Sequence, residues 1–172
     1  MNVTFSLAGL EEAADLAALH NSVAEDLTRR FGHGFWSSLG SERGVIAGMR
    51  HARVTVARVG GKADQGEIIG NLRLQTKKPW AIDVSYFTPA KKPIYVTGMA
   101  VLPSMQRKGI GRALVAEAVR QVRDWPADAI RLDAFNADAG AGGFYRKCGF
   151  REVASVVYRN DPLLYFELVL QG

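Results

Sequence analysis

Residues 94–122 constrain this chain more than any other stretch, because they read as strand, glycine-bearing basic turn and helix in immediate succession. Ile94, Tyr95, Val96, Thr97 and Val101 give a mostly apolar, β-favouring run suited to a buried strand. Leu114, Ala118 and Val122 then recur every four residues beside Val115 and Val119, which puts one apolar face on a helix. Between them stand Gln106, Arg107, Lys108, Gly109, Ile110, Gly111 and Arg112. Gly109 and Gly111 open backbone angles closed to other residues, so several N–H groups can converge on one concavity at a helix start. First-turn N–H groups lack intrahelical acceptors and the helix dipole favours negative charge, while Arg107, Lys108 and Arg112 add full positive charges. The ligand expected there is a pyrophosphate.

Two familiar phosphate loops fit less well. No Gly-Lys-Ser/Thr follows the glycines, which excludes a P-loop. A dinucleotide fingerprint would use Gly109 and Gly111, with Asp133 about twenty residues on as the ribose-binding acid. Leu114 occupies its third glycine position, however, and residues 102–108 separate the strand from the glycines. The nicotinamide-binding turn follows its strand almost at once.

At 172 residues the chain suits one domain, 1–172, with a substantial core. No apolar run is long enough to span a membrane, and the start alternates like a strand without the layout of a secretory signal, so a cytoplasmic setting and no membrane partner are expected. Cys148 is the only cysteine, and His20, His33 and His51 lack the paired spacing of a helical zinc motif, so no metal is expected. The net charge of +5 and pI near 9.6 invite a nucleic-acid reading. The basic residues are dispersed with no recognition motif around them, and a polyanionic small molecule accounts more economically for the group at 107–112.

Taken in order, Val3, Phe5 and Leu7 make a strand, and a helix begins near Glu11 with Leu16, Leu19, Val23 and Leu27 at helical spacing. Residues 31–36 break the pattern with glycines and aromatics that either line an acceptor pocket or pack between helices. Ser41 is placed to cap a second helix buried through Val45, Met49 and Ala52. A hairpin follows, with strands near 54–59 and 67–75 and a turn over 60–66. Residues 77–93 carry three prolines with Trp80, Tyr86 and Phe87, and form a candidate acceptor lid. Later come a strand at 130–134, a short helix over 137–148 ended by Gly149, and strands at 151–159 and 163–170. These elements predict an α/β (α+β) chain: a single mixed, mostly antiparallel central sheet with helices on both faces.

The run Val101, Pro103, Gln106, Gly109, Gly111 and Leu114 resembles the acyl-CoA signature, Arg/Gln-x-x-Gly-x-Gly/Ala, of the GCN5-related N-acetyltransferases, the GNAT family. A second block is similar to that family's strand, asparagine, helix and Tyr-x-x-x-Gly-Phe ending: Leu132, Asp133 and Asn136, then Tyr145, Gly149 and Phe150. The resemblance implies the acyl-CoA N-acyltransferase fold. It also implies an enzyme that moves an acetyl group from acetyl-CoA to a primary amine by direct attack in a ternary complex. Backbone groups of Met99 and Val101 would pair with the pantetheine arm, Gln106 to Arg112 would cradle the pyrophosphate, and Asn136 would contact the arm. Tyr145 would protonate the departing thiolate. Asn136 also reads as a helix N-cap, and Tyr145 as a packed aromatic.

One position departs from the family. Thr97 stands where many members carry a glutamate base, so the proton acceptor is open among Asp133, Asp83 and a water relay. That departure motivates an alternative, a non-catalytic CoA-sensing or interaction module on the same fold. Acetyl-CoA and an amine acceptor are the expected partners, nucleic acid is not, and a homodimer is kept open as the assembly.

Overall fold

A computed structural model describes residues 1–62 and 65–171. The elements in order are β1 (Val3–Leu7), α1 (Ala13–Phe31), α2 (Glu42–Met49), β2 (Arg53–Val59), β3 (Glu67–Gln75), β4 (Pro93–Val101), α3 (Ile110–Asp124), β5 (Ala129–Phe135), α4 (Gly142–Lys147), β6 (Arg151–Tyr158) and β7 (Asp161–Val169). Among the described residues the strands form one seven-stranded sheet in the order β1-β2-β3-β4-β5-β7-β6. The pairs β1/β2, β2/β3, β5/β7 and β6/β7 are antiparallel, and β4/β5 is parallel. This is the mixed, mostly antiparallel sheet expected. The β2–β3 hairpin is present as predicted, and positions 63 and 64 of its turn lie outside the described residues.

The chain divides into two compact units, residues 1–74 with 98–120, and residues 75–97 with 121–172. In the first, β3 is clothed on both faces. Beyond the bulge at Ala57/Arg58, which leaves Ile68 on the Leu16/Val56 core, its even positions from Gly70 on face α3, since a Cβ on Gly70 would lie 3.1 Å from Leu114 Cδ1 and 3.4 Å from Ile110 Cγ2. Its odd positions face α1 and α2: Arg73 reaches Gly48 and meets His20. On that side Ala13, Leu16, Met49, Val54 and Val56 make a core, because antiparallel partners such as Val56 and Asn71 share a face. Ser41 caps α2 as expected, its Oγ accepting from Gly44 N at 3.1 Å.

In the second unit the two faces of β7 separate. Leu164 and Phe166 meet α4, where a Cβ on Gly142 would lie 3.1 Å and 3.4 Å from them. Tyr165 packs with Ile82, Phe87 and Tyr95 on the other face. The helix predicted from 137 begins only at Gly142. A turn closes first, Gly140 N donating to Ala137 O at 2.8 Å, and a Cβ on Gly140 would fall 1.9 Å from Phe135 O. Gly149 ends the segment in the left-handed conformation expected of it, φ 90°.

Candidate active site

The turn between β4 and α3 belongs to the first unit. Leu102 N donates to Ile69 O at 2.9 Å, which keeps the end of β4 on β3, and a short 3-10 turn then covers Pro103–Met105. Gln106 turns back, its Nε2 donating to Val101 O at 3.1 Å, so its side chain braces the loop and leaves backbone to face a ligand. Arg107 (φ 60°) and Gly109 (φ 85°) are both left-handed, and this reversal bends the chain into a concave nest at the start of α3. Gly109 O accepts from Ala113 N at 3.0 Å and so opens the helix. The N–H groups of Ile110, Gly111 and Arg112 therefore form the first turn, without intrahelical acceptors. Ile110 and Leu114 are buried, which anchors the turn, while Arg107, Lys108 and Arg112 are exposed around it.

This turn fits a pyrophosphate. Apart from Gly109 and its two chain neighbours, no described atom lies within 4 Å of where a Cβ on Gly109 would be, so the space above it is open, and three exposed cations and three first-turn N–H groups belong to the same turn. Met99 and Val101, half-buried at the end of β4, precede it.

Asp133, Asn136, Tyr145 and Cys148 belong to the second unit. Tyr145 is buried on α4, with its ring 5.2 Å from Phe144, 5.7 Å from Phe150 and 6.0 Å from Phe166. Burial, with Cys148 and the Asp133 carboxylate nearby, pushes its phenol well above the ordinary value, so the hydroxyl stays protonated. Asp133 is Cα partner to Tyr165, so its side chain leaves the sheet on the face opposite Phe166 and α4. Burial raises its carboxyl too. Asn136 is exposed; its N donates to Pro162 O at 2.9 Å and its Nδ2 to Ser155 Oγ at 3.4 Å. It does not cap α4, whose N-cap is Ala141.

The second unit also pins the long segment before β4. Lys91 N and Lys92 N donate to Asp128 at 2.7 Å and 3.0 Å, and Thr88 donates to Glu167 through N at 3.1 Å and Oγ1 at 2.6 Å. Phe87 is a core residue, 6% exposed and stacked on Tyr165 at 5.2 Å, so it does not line an open surface. Trp80 and Tyr86 are the aromatics left exposed there, at 82% and 51%. Asp83 carries Ser85 on its carboxylate, which holds its pKa below the usual range and makes it a poor base. Thr97 Oγ1 donates to Gln75 Oε1 at 3.2 Å.

A cluster that sequence reading missed lies in the first unit. His20 from α1, Asn71 and Arg73 from β3 and Gly98 from β4 come together although 78 positions separate the ends. Burial and the Arg73 cation hold the imidazole below its ordinary pKa, against the opposing pull of Asn71. No local spacing could have announced it.

The profile of the acetyltransferase (GNAT) family matches residues 16–150. The chain belongs to the acetyltransferase (GNAT) family. It is 34% identical over 58 residues to the uncharacterized N-acetyltransferase YvbK of Bacillus subtilis, covering 34% of this chain and 37% of that protein. It is 36% identical over 69 residues to the aminoglycoside N(6')-acetyltransferase type 1 of Stenotrophomonas maltophilia, covering 40% and 45%. The matches thus span less than half the length of these curated relatives. The structure of yncA from Salmonella typhimurium with its cofactor acetyl-CoA superposes with a TM-score of 0.68 at 16% identity, covering 98% of this chain and 94% of that one. At that identity the likeness is one of fold.

Among the described residues no group of three or more His, Cys, Asp and Glu is placed to hold a metal ion, and no helix is long and apolar enough to cross a membrane.

Proposed function

We propose that this GNAT member transfers the acetyl group of acetyl-CoA to a primary amine by direct attack of the amine on the thioester in a ternary complex. The observation that carries the reading is the nest at 106–112: two left-handed residues, open space over Gly109, a fresh helix N-terminus and three exposed cations. That combination recognises the pyrophosphate of a CoA. Backbone groups of Met99 and Val101 would hold the pantetheine arm as an added strand, with the Met99 N–H facing the thioester oxygen and Asn136 contacting the arm. Because the thioester arrives activated, the protein's tasks are to align the amine, take its proton and supply one to sulfur. Tyr145 suits the last task, since burial keeps its hydroxyl protonated. The proton acceptor is open among the groups able to take it, and Asp133 is one candidate, its raised pKa improving it as a base.

Steady-state kinetics with acetyl-CoA and a panel of primary amines tests the reading. Tyr145→Phe should lower kcat by about a hundredfold with CoA affinity unchanged. Cys148→Ala should leave turnover intact, and intact-protein mass spectrometry should show no acetyl adduct. Full activity in Tyr145→Phe, or a stable adduct on Cys148 with ping-pong kinetics, would overturn the assignment. Tight acetyl-CoA binding without transfer to any amine would favour a CoA-sensing module.

A further inference from the structure

We propose that His20, Asn71 and Arg73, with the space over Gly98, form the acceptor end of the site, where His20 takes the proton lost by a primary amine and Asn71 Oδ1 receives its other N–H. The inference rests on the N-acetyltransferase reading and supplies the base that Thr97 cannot be.

The geometry is compact. A Cβ placed on Gly98 would lie 3.7 Å from His20 Cε1, 3.7 Å from Arg73 Nε and 3.8 Å from Arg73 Cζ. Both side chains therefore border the space over Gly98, one residue from Met99, whose N–H is proposed to face the thioester. Asn71 is 3% exposed, and its Oδ1, although near enough to His20 to oppose the lowering of the imidazole pKa, makes no hydrogen bond of proper geometry among the described residues. A buried acceptor left unsatisfied is destabilising, so a purely structural cluster would be better served by an apolar residue. A bound N–H donor removes that cost.

The donor and acceptor inventory selects the ligand. A neutral primary amine offers two N–H groups and one lone pair. The cluster offers two acceptors, a ring nitrogen of neutral His20 and Asn71 Oδ1, while the Arg73 guanidinium can only donate. Both N–H groups are thus engaged and the lone pair is left for the carbonyl carbon. Arg73 disfavours a second cation, so the amine is received in the form that can react, and the same charge together with burial keeps His20 neutral and able to accept a proton.

In the step itself the amine lone pair forms the C–N bond and one N–H proton passes to the His20 ring nitrogen. The C–S bond breaks with its electron pair going to sulfur. The thiolate takes up one proton from solvent, and His20 releases its proton to water. Amide and thiol leave neutral.

Two variants test this, assayed on the full chain with benzylamine, spermidine, glucosamine and an N-terminally free peptide. His20→Gln keeps a polar side chain but cannot take the proton; kcat should fall about a hundredfold while CoA affinity by calorimetry is unchanged. Gly98→Ala meets only ordinary contacts in the free protein yet fills the acceptor space, so it should raise the amine KM at least tenfold and leave the acetyl-CoA KM alone. Wild-type turnover in His20→Gln, or an unchanged amine KM in Gly98→Ala, overturns this inference while leaving the acetyltransferase reading standing. Failure of the wild-type protein to acetylate any of the four amines despite binding acetyl-CoA overturns both.

Discussion

Gly109→Asp and Gly109→Asn differ by one charge, and that difference isolates the electrostatics of the nest. Gly109 is left-handed at φ 85°, a conformation that Asn and Asp tolerate better than other side chains, so each should cost about 1 kcal/mol of stability. Neither side chain clashes with a distant part of the chain, because nothing beyond its immediate chain neighbours lies within 4 Å of the Cβ position. Both intrude equally on a ligand in that space. Only Asp adds repulsion: two unit charges about 5 Å apart at an effective dielectric of about 20 repel by roughly 3 kcal/mol. That corresponds to about a hundredfold in Kd between the two variants, with less at high salt. Calorimetry with CoA reads the ratio, and pantetheine, which lacks the pyrophosphate, is the control. Equal CoA affinities for folded Asp and Asn variants would refute the assignment of the pyrophosphate to this turn.

Three further outcomes follow from the packing and the charges. Gly70→Ala should cost about 1–3 kcal/mol in urea denaturation and weaken CoA binding, because its methyl meets Ala100 O and Leu114 Cδ1 at 3.1 Å and must push the first turns of α3 off β3. Asp133→Asn should be more stable than wild type at pH 7.5 and equal to it near pH 3. The Asp133 carboxyl is raised in the fold, so wild type loses stability as pH climbs from about 3.9, the unfolded value, through the folded value, and the amide does not. Denaturation midpoints at the two pH values check the sign. Tyr86 is half-exposed and meets Tyr165 edge-on at 5.9 Å, so Tyr86→Ala should change stability little and, with residues 77–93 as the proposed acceptor lid, raise the amine KM more than that of acetyl-CoA; equal effects on both would point to a structural role.

Features whose cause is local were legible in the order of residues. Helical spacing placed the stripes of α1 and α3, alternation placed β1, β2 and β3, and Ser41 and Gly149 marked helix ends because caps are written within a turn of the residues they satisfy. The nest was legible for the same reason: its glycines, cations and helix start are contiguous. The start of α4 was misread because the turn that delays it depends on Gly140 fitting against Phe135 O. What sits opposite what depends on the packing of the whole sheet. That packing moved Phe87 from a presumed surface into the core beneath Tyr165, and it sent Asp133 out of the sheet on the face opposite Phe166 through its register with Tyr165. It gathered His20, Asn71, Arg73 and Gly98 from one helix and two strands. Periodicity says which residues share a face, but strand order and register, set by the burial of many faces at once, say which faces meet.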